Sequence, residues 1–345
     1  MPLNHSSDEI SLLSFKKDFI GYSLGAFRQD AMAALSVALL TVPQAMAYAL
    51  LAGLPLTCGL FSAIYSSMIA ALFGSSRHLV VGPSNAIAIL VQSGTSEILY
   101  TQYHGLSSPE LDMMSVQVLT QLCLLIGVFQ VLAAACKLGQ LTQFISHSVV
   151  VGYIAGAAIA VVINQSFTFI GIPGMVGDHS LYERAAYFIT HLYESHWPTA
   201  LVGISSLLLL LIFKRIDSRI PAPVITLALV GIVVALINMT LFNSVETEVG
   251  GEQRWQKVLL VGDSGHFYQV WPSFSLPFFD TAIMNQMLSF AFAVALLSVM
   301  ETSSVGKTIA ASSGQRLSIN QEIFGIGLGN LLSSLISAMP VSGSP

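Results

Sequence analysis

Seven residues of this chain have types and spacings that could do chemistry in an apolar medium: Gln44, Tyr48, Gly82, Pro83, Ser84, Asn85 and Glu301. Gly82 and Pro83 break the extended run Leu79-Val80-Val81, and Ser84 and Asn85 open a helical pattern. Proline suits the first helical turn because its missing N–H is one of the donors that has no partner there. The break therefore predicts a helix whose free amides open at Gly82 to Asn85. A helix start inside a membrane gathers N–H groups and the positive end of the helix dipole, which makes it a site for an anion. Gln44 and Tyr48 are four residues apart and share one helical face. They either line a cavity or supply an interhelical hydrogen bond and a packing aromatic. Glu301 is the one acidic residue deep in an expected span, where a carboxylate is costly enough to read as a group that holds or relays a proton. The alternative, a pair with Lys307, is disfavoured because residues six apart do not share a helical face.

The medium follows from composition. Hydrophobic residues make up 54% of the 345 and charged residues 9%, far from soluble averages, so the chain is read as an all-α, multi-pass membrane protein. At roughly 20 apolar residues per span there is room for about nine. A net charge of -5 with no Lys/Arg cluster excludes a nucleic-acid surface. Cys58, Cys123 and Cys136 lack metal-ligand spacing and read as small hydrophobes. His78 and His147 stand alone, and no Ser-His-Asp set, metal cluster or phosphate loop is present. Neither an enzyme nor a resident cofactor is expected.

The elements that must position these residues come in order. Phe15 to Phe27 suits a short interfacial helix. Span one runs from about Asp30 to Leu54 with Pro43 in mid-membrane, and span two, from Pro55 to Phe73, is rich in small residues. The third element is broken at Gly82-Pro83, and its run Ala86 to Val91 is too short to cross alone. Tyr100 to Asp112 reads as an exterior loop. Span four covers Met114 to Cys136. Span five covers Phe144 to Ile170, with Gly152 and Gly156 in a small-xxx-small packing pattern. Gly171 to Pro198 is a second exterior segment, followed by span six to Phe213 and span seven from Pro223 to Phe242. Span eight is Phe279 to Ile309 and span nine Ile323 to Met339. Asp30 and Glu322 fall near membrane boundaries, where solvation is easy, and are assigned no role. With the N-terminus inside, Lys16, Lys17, Arg28, Arg77, Lys137, Lys214, Arg215, Arg219, Lys307 and Arg316 lie on the inner side, and Arg184, Arg254 and Lys257 outside. That bias fits a cell-membrane protein with a cytoplasmic N-terminus.

Several motifs in order resemble the SulP, or sulfate permease-like, family of anion transporters. They are Val42-Pro43-Gln44-Ala45-Met46-Ala47-Tyr48-Ala49 with Ala52-Gly53-Leu54-Pro55, Gly59-Leu60-Phe61, Gly74-Ser75-Ser76-Arg77, Val81-Gly82-Pro83, and Gly152 to Ala158. Asn320-Gln321-Glu322, Gly327-Leu328-Gly329-Asn330 and Pro340-Val341-Ser342-Gly343-Ser344 follow. The resemblance implies two inverted seven-segment repeats divided into core and gate domains. On that plan 1–29 is the cytoplasmic N-terminus, 30–136 holds core segments one to four and 137–243 gate segments five to seven. Residues 244–278 form an exterior loop and 279–345 hold core segments eight and nine. It further implies that a small inorganic anion, sulfate first and bicarbonate or another oxyanion next, lies between half-helices three and ten. Gln44 and Tyr48 would line the site, with Gly82, Pro83 and the amides of Ser84 and Asn85 around the anion. Glu301 would couple transport to H⁺; relatives that use Na⁺ tend to carry Asp in that region. Family members are commonly dimers through a STAS domain. The family continues past Gly-Ser with a Ser-Arg pair and four more spans, whereas this chain stops at Ser344-Pro345, so half of the site is expected in the remainder of a longer protein. Two other readings stand beside transport: a non-transporting truncated module that needs a partner chain, and a nucleobase symporter of the same fold, against which Pro43-Gln44 and Gly74 to Arg77 argue.

Overall fold

The computed structural model describes residues 10–12, 22–102, 108–139, 147–172, 180–217, 222–241, 258, 271–272, 274, 276–277, 279–315 and 317–344. The interfacial helix over most of Phe15 to Phe27, the start of span five at Phe144 and most of the segment 244–278 lie outside the described residues.

Helix α1 (Leu24–Leu51) starts where the Ser23 hydroxyl accepts the Ala26 N–H, and it passes through Pro43 unbroken. The second span is α2 (Leu56–Phe61), a π-helical turn (Ser62–Ser66) and α3 (Ser67–Phe73). Strand β1 (Val80–Gly82) leads into α4 (Asn85–Gln102), and α5 (Ser108–Ala135) and α6 (His147–Ile170) follow. Then come α7 (Leu181–Thr190), α8 (Trp197–Ile216), α9 (Ala222–Leu241), α10 (Thr281–Ser313), α11 (Ile319–Leu335) and strand β2 (Ser342–Ser344). Six helical stretches among the described residues are long and apolar enough to cross a membrane. Helices α4, α6 and α11 stand where the other three spans are expected.

Three features differ from the sequence reading. Helix α4 continues for 18 residues to Gln102 and so enters the stretch from Tyr100 read as an exterior loop, because polar Gln92, Ser93, Ser96 and Glu97 are compatible with helical backbone once it is nucleated. The exterior segment holds α7, started by a capping box in which Ser180 Oγ accepts the Glu183 N–H and the Glu183 carboxylate accepts the Ser180 N–H. The third is the β1–β2 pair, which is too short to show any periodicity in sequence.

Two compact units divide the chain: Met1–Met32, Thr41–Ala155 and His266–Pro345 form one, and Ala33–Leu40 with Gly156–Gly265 the other. In the second unit, α8 packs along α9, and Phe167 of α6 stacks on Tyr187 of α7 with ring centroids 6.2 Å apart. In the first unit, α11 lies between α5 and the α3 span. Glycines permit this closeness: a methyl at Gly325 would sit 2.8 Å from the Ala70 carbonyl oxygen, one at Gly329 2.8 Å from that of Ser66, and one at Gly327 3.0 Å from the Val131 amide nitrogen. Among the described residues a methyl at Gly152 or Gly156 meets nothing within 4 Å. One apolar cluster joins Ala49 of α1 and Ala52 just after it, Ile87 and Val91 of α4, Leu119 and Leu122 of α5, and Met287 and Val294 of α10.

Glu322 is also placed differently from its reading as a solvated boundary residue. It is 3% exposed. Its Oε1 accepts the Ser75 N–H at 2.6 Å, the Ser75 hydroxyl at 2.8 Å and the Ser76 N–H. The carboxylate thus closes the turn after α3 onto the start of α11. Neighbouring Gln321 pairs with the Ser11 peptide, accepting its N–H at 2.8 Å and donating to its carbonyl at 3.0 Å.

Candidate functional site

The Gly82-Pro83 break sits where the chain changes from strand to helix, and its geometry is set by a distant segment. Strands β1 and β2 pair antiparallel, with Val80 opposite Ser344, Val81 opposite Gly343 and Gly82 opposite Ser342. Gly82, Pro83 and Ser84 are buried and Asn85 half-buried. Ser84 caps α4: its Oγ accepts the Ile87 N–H at 3.3 Å, and its carbonyl accepts the Ala88 N–H at 2.9 Å. The same hydroxyl donates to Glu301 Oε2 at 3.1 Å. Ser342 donates to that same oxygen at 2.8 Å. One carboxylate oxygen of α10 therefore holds the start of α4 on one side and the second strand on the other.

Among the described residues, Glu301 Oε1 accepts no hydrogen bond and Lys307 makes no ion pair with the carboxylate, so the Lys307 alternative is not realised. Gln44 Nε2 donates to Tyr48 Oη at 2.6 Å, a bond within α1 that accounts for their shared face. Tyr48 also packs against the apolar cluster that contains Ile87 and Met287. The structure thus brings Ser84, Glu301 and Ser342 into direct contact and places Tyr48 against the apolar cluster. Gln44 and Tyr48 bond to each other rather than to that trio.

The sequence reading leaves out the residues that hold β2. Val341 donates its N–H to Asn330 Oδ1 at 2.7 Å, and Gly343 donates its N–H to Thr302 Oγ1 at 3.0 Å. Asn330 Nδ2 donates to Gln130 Oε1 at 2.7 Å, and Gln130 Nε2 donates to Ser298 Oγ at 2.9 Å. The available signal was two amides, Gln130 and Asn330, each inside an apolar run of its helix. Such groups must find partners, since unpaired polar atoms in hydrocarbon are expensive. Chemically, the cluster offers hydroxyls, a helix N-terminus and one carboxylate, a set that can hold a small anion and a proton.

Comparison with known proteins agrees. A profile of the Sulfate permease family matches residues 27–345. Sulfate transporter 4.1, chloroplastic, of Arabidopsis thaliana is 30% identical over 327 residues, which are 92% of this chain and 43% of that protein. The structure of the murine Solute Carrier 26 family member A9 anion transporter in the inward-facing state superposes with a TM-score of 0.80 at 19% identity, covering 100% of this chain and 57% of that one. The transmembrane domain of the cyanobacterial bicarbonate transporter BicA gives 0.75 at 18% identity, covering 94% and 76%. The chain spans about half the length of the curated relatives it matches. These relatives are transporters and not enzymes, and their transmembrane fold, two inverted repeats with core and gate parts, is the one this multi-pass membrane chain adopts in part. By its profile match and its fold, the chain belongs to the Sulfate permease family.

Proposed function

We propose that this chain is part of a secondary active transporter of small inorganic anions, sulfate first and bicarbonate or another oxyanion next, that works by alternating access with H⁺ as the coupling ion. The single observation that carries the reading is the Glu301 carboxylate bridging Ser84 at the start of α4 and Ser342 of β2. The names of the relatives, a sulfate transporter and a bicarbonate transporter, point to the same ligand class. The core is read as 30–136 with 279–345, the gate as 137–243, and the N-terminus as cytoplasmic.

The coupling follows from charge. The helix start attracts an anion, and an ionised carboxylate beside it repels one. Two unit charges about 6 Å apart at an effective dielectric of about 20 repel by about 3 kcal/mol, or roughly a hundredfold in affinity. A proton on Glu301 removes that repulsion, so anion and proton bind together. Oε1 can take the proton while Oε2 keeps both serine bonds. Gln44 and Tyr48 line the path from α1, and the assembled protein is a homodimer.

The test is uptake of radiolabelled sulfate and bicarbonate into proteoliposomes that carry the full reading frame. Sulfate uptake is expected to rise as the outside is acidified, and Glu301→Gln to leave a slower uptake that no longer responds to pH. No uptake of either anion overturns the transport reading, whereas an unchanged pH response in Glu301→Gln overturns only the proton role. Uptake that follows a Na⁺ gradient would replace H⁺ with Na⁺.

A further inference from the structure

We propose that Asn330 and Thr302 are positioning residues that take the place of a third strand beside β2 and lock its register against β1. Val341 uses its N–H and its carbonyl on one side-chain amide: the N–H donates to Asn330 Oδ1 at 2.7 Å and the carbonyl accepts from Asn330 Nδ2 at 3.2 Å. That is the pairing a neighbouring peptide would make. Two residues on, the Gly343 N–H donates to Thr302 Oγ1. Peptide groups alternate in direction along an antiparallel strand, so Val341 and Gly343 turn towards α11 and α10, and Ser342 and Ser344 pair with β1.

The Asn330 amide is itself held in place. Its second N–H goes to Gln130 Oε1, Gln130 Nε2 donates to Ser298 Oγ, and the Ser298 hydroxyl donates back to the Val341 carbonyl at 3.3 Å. This ring joins α5, α10, α11 and the approach to β2, and each of its residues is at most 1% exposed. The three bonds from this ring to the Val341 N–H and carbonyl would have to break for the strand to slide. Sliding by one residue turns each side chain to the other face, which would put Gly343 or Val341 in front of Glu301 and remove the Ser342 hydroxyl. A side chain at Gly343 would be crowded as well, since a methyl there would lie 3.1 Å from the Thr302 Cα. The lock acts on the anion cluster through Ser342, so its transport readout rests on the function proposed above, while its register readout does not.

The experiment uses the full reading frame with Cys58, Cys123 and Cys136 replaced by alanine and with Val80→Cys and Ser344→Cys introduced. Residues directly opposite in an antiparallel pair have Cα atoms about 4.5 to 5.5 Å apart, within disulfide range. Mild oxidation followed by mass spectrometry is expected to find the 80–344 cross-link. Thr302→Val exchanges the hydroxyl for a methyl of similar size. It is expected to lower the cross-link yield severalfold and to raise the half-saturation concentration for sulfate about tenfold, the worth of one buried hydrogen bond, with little change in maximal rate. Thr302→Ser, which keeps the hydroxyl, should restore both. Asn330→Leu should abolish the cross-link, and if that variant does not fold, the Thr302 pair decides alone. An unchanged cross-link yield in Thr302→Val, or no recovery in Thr302→Ser, overturns the lock. If the parent takes up no sulfate, the transport reading fails, and the cross-link yields still decide the register.

Discussion

Two carboxylates of one unit, Glu322 buried and Glu301 half-buried, do opposite things because of what faces them. Glu322 Oε1 receives three donors from Ser75 and Ser76, so its charge is spent on structure. Glu301 receives two hydroxyls on one oxygen, which leaves it room to take up a proton. Glu322→Ala strands three donors, each costing about 1 to 3 kcal/mol if left unsatisfied and buried, and it should lower the melting temperature of the purified protein by many degrees. Glu322→Gln keeps an acceptor and loses the charge assistance, so it should fall between the two; melting followed by loss of the monodisperse chromatographic peak checks the order. A Glu322→Ala protein as stable as the parent would rule out the clasp. The depth of Glu301 within its span was legible in sequence because position in an apolar run can be counted along one dimension. Its partners were not: Ser84 is 217 residues away and Ser342 is 41, and no local pattern pairs them. Glu322 was misread for the complementary reason, since a boundary position in sequence does not reveal that a distant turn covers it.

At the level of elements, the long helices could be read from apolar length, and so could the strand-to-helix break at Gly82-Pro83. The β1–β2 pair could not, because three residues per strand carry no period. Helix packing was only half legible. The pattern of small residues marks close approach but does not say which glycines meet a neighbour. Gly325 and Gly329 face the α3 span and Gly327 faces α5, so α11 is clamped on both sides. Gly329→Ala pushes a methyl to 2.8 Å from the Ser66 carbonyl, and overpacking of this kind costs about 1 to 3 kcal/mol. Gly152→Ala meets no atom within 4 Å and gains about 1 kcal/mol of helix propensity. Thermal unfolding of the two variants should therefore move in opposite directions. A destabilised Gly152→Ala with an unaffected Gly329→Ala would return the packing role to α6.

For the whole molecule, the strongest unused constraint is topological. Ten of the thirteen basic residues fall on one side of the membrane when the N-terminus is placed inside, and basic loops stay in the cytoplasm. In the orientation proposed above Cys136, at the end of α5, falls on that side; it is exposed, whereas Cys58 and Cys123 are buried. Accessibility and sidedness thus single out one thiol for an impermeant reagent. A membrane-impermeant maleimide should leave the protein unmodified in intact cells and label it in inside-out vesicles, and Cys136→Ser should remove the label there. Cys58→Ser and Cys123→Ser should leave the label unchanged, because the cluster that buries those thiols excludes the reagent from either side. Labelling of Cys136 in intact cells would invert the molecule, turn the start of α4 to the opposite compartment and reverse the direction in which a proton gradient drives the anion. The sidedness of one cysteine therefore tests the span count, the orientation and the sign of the proposed coupling together.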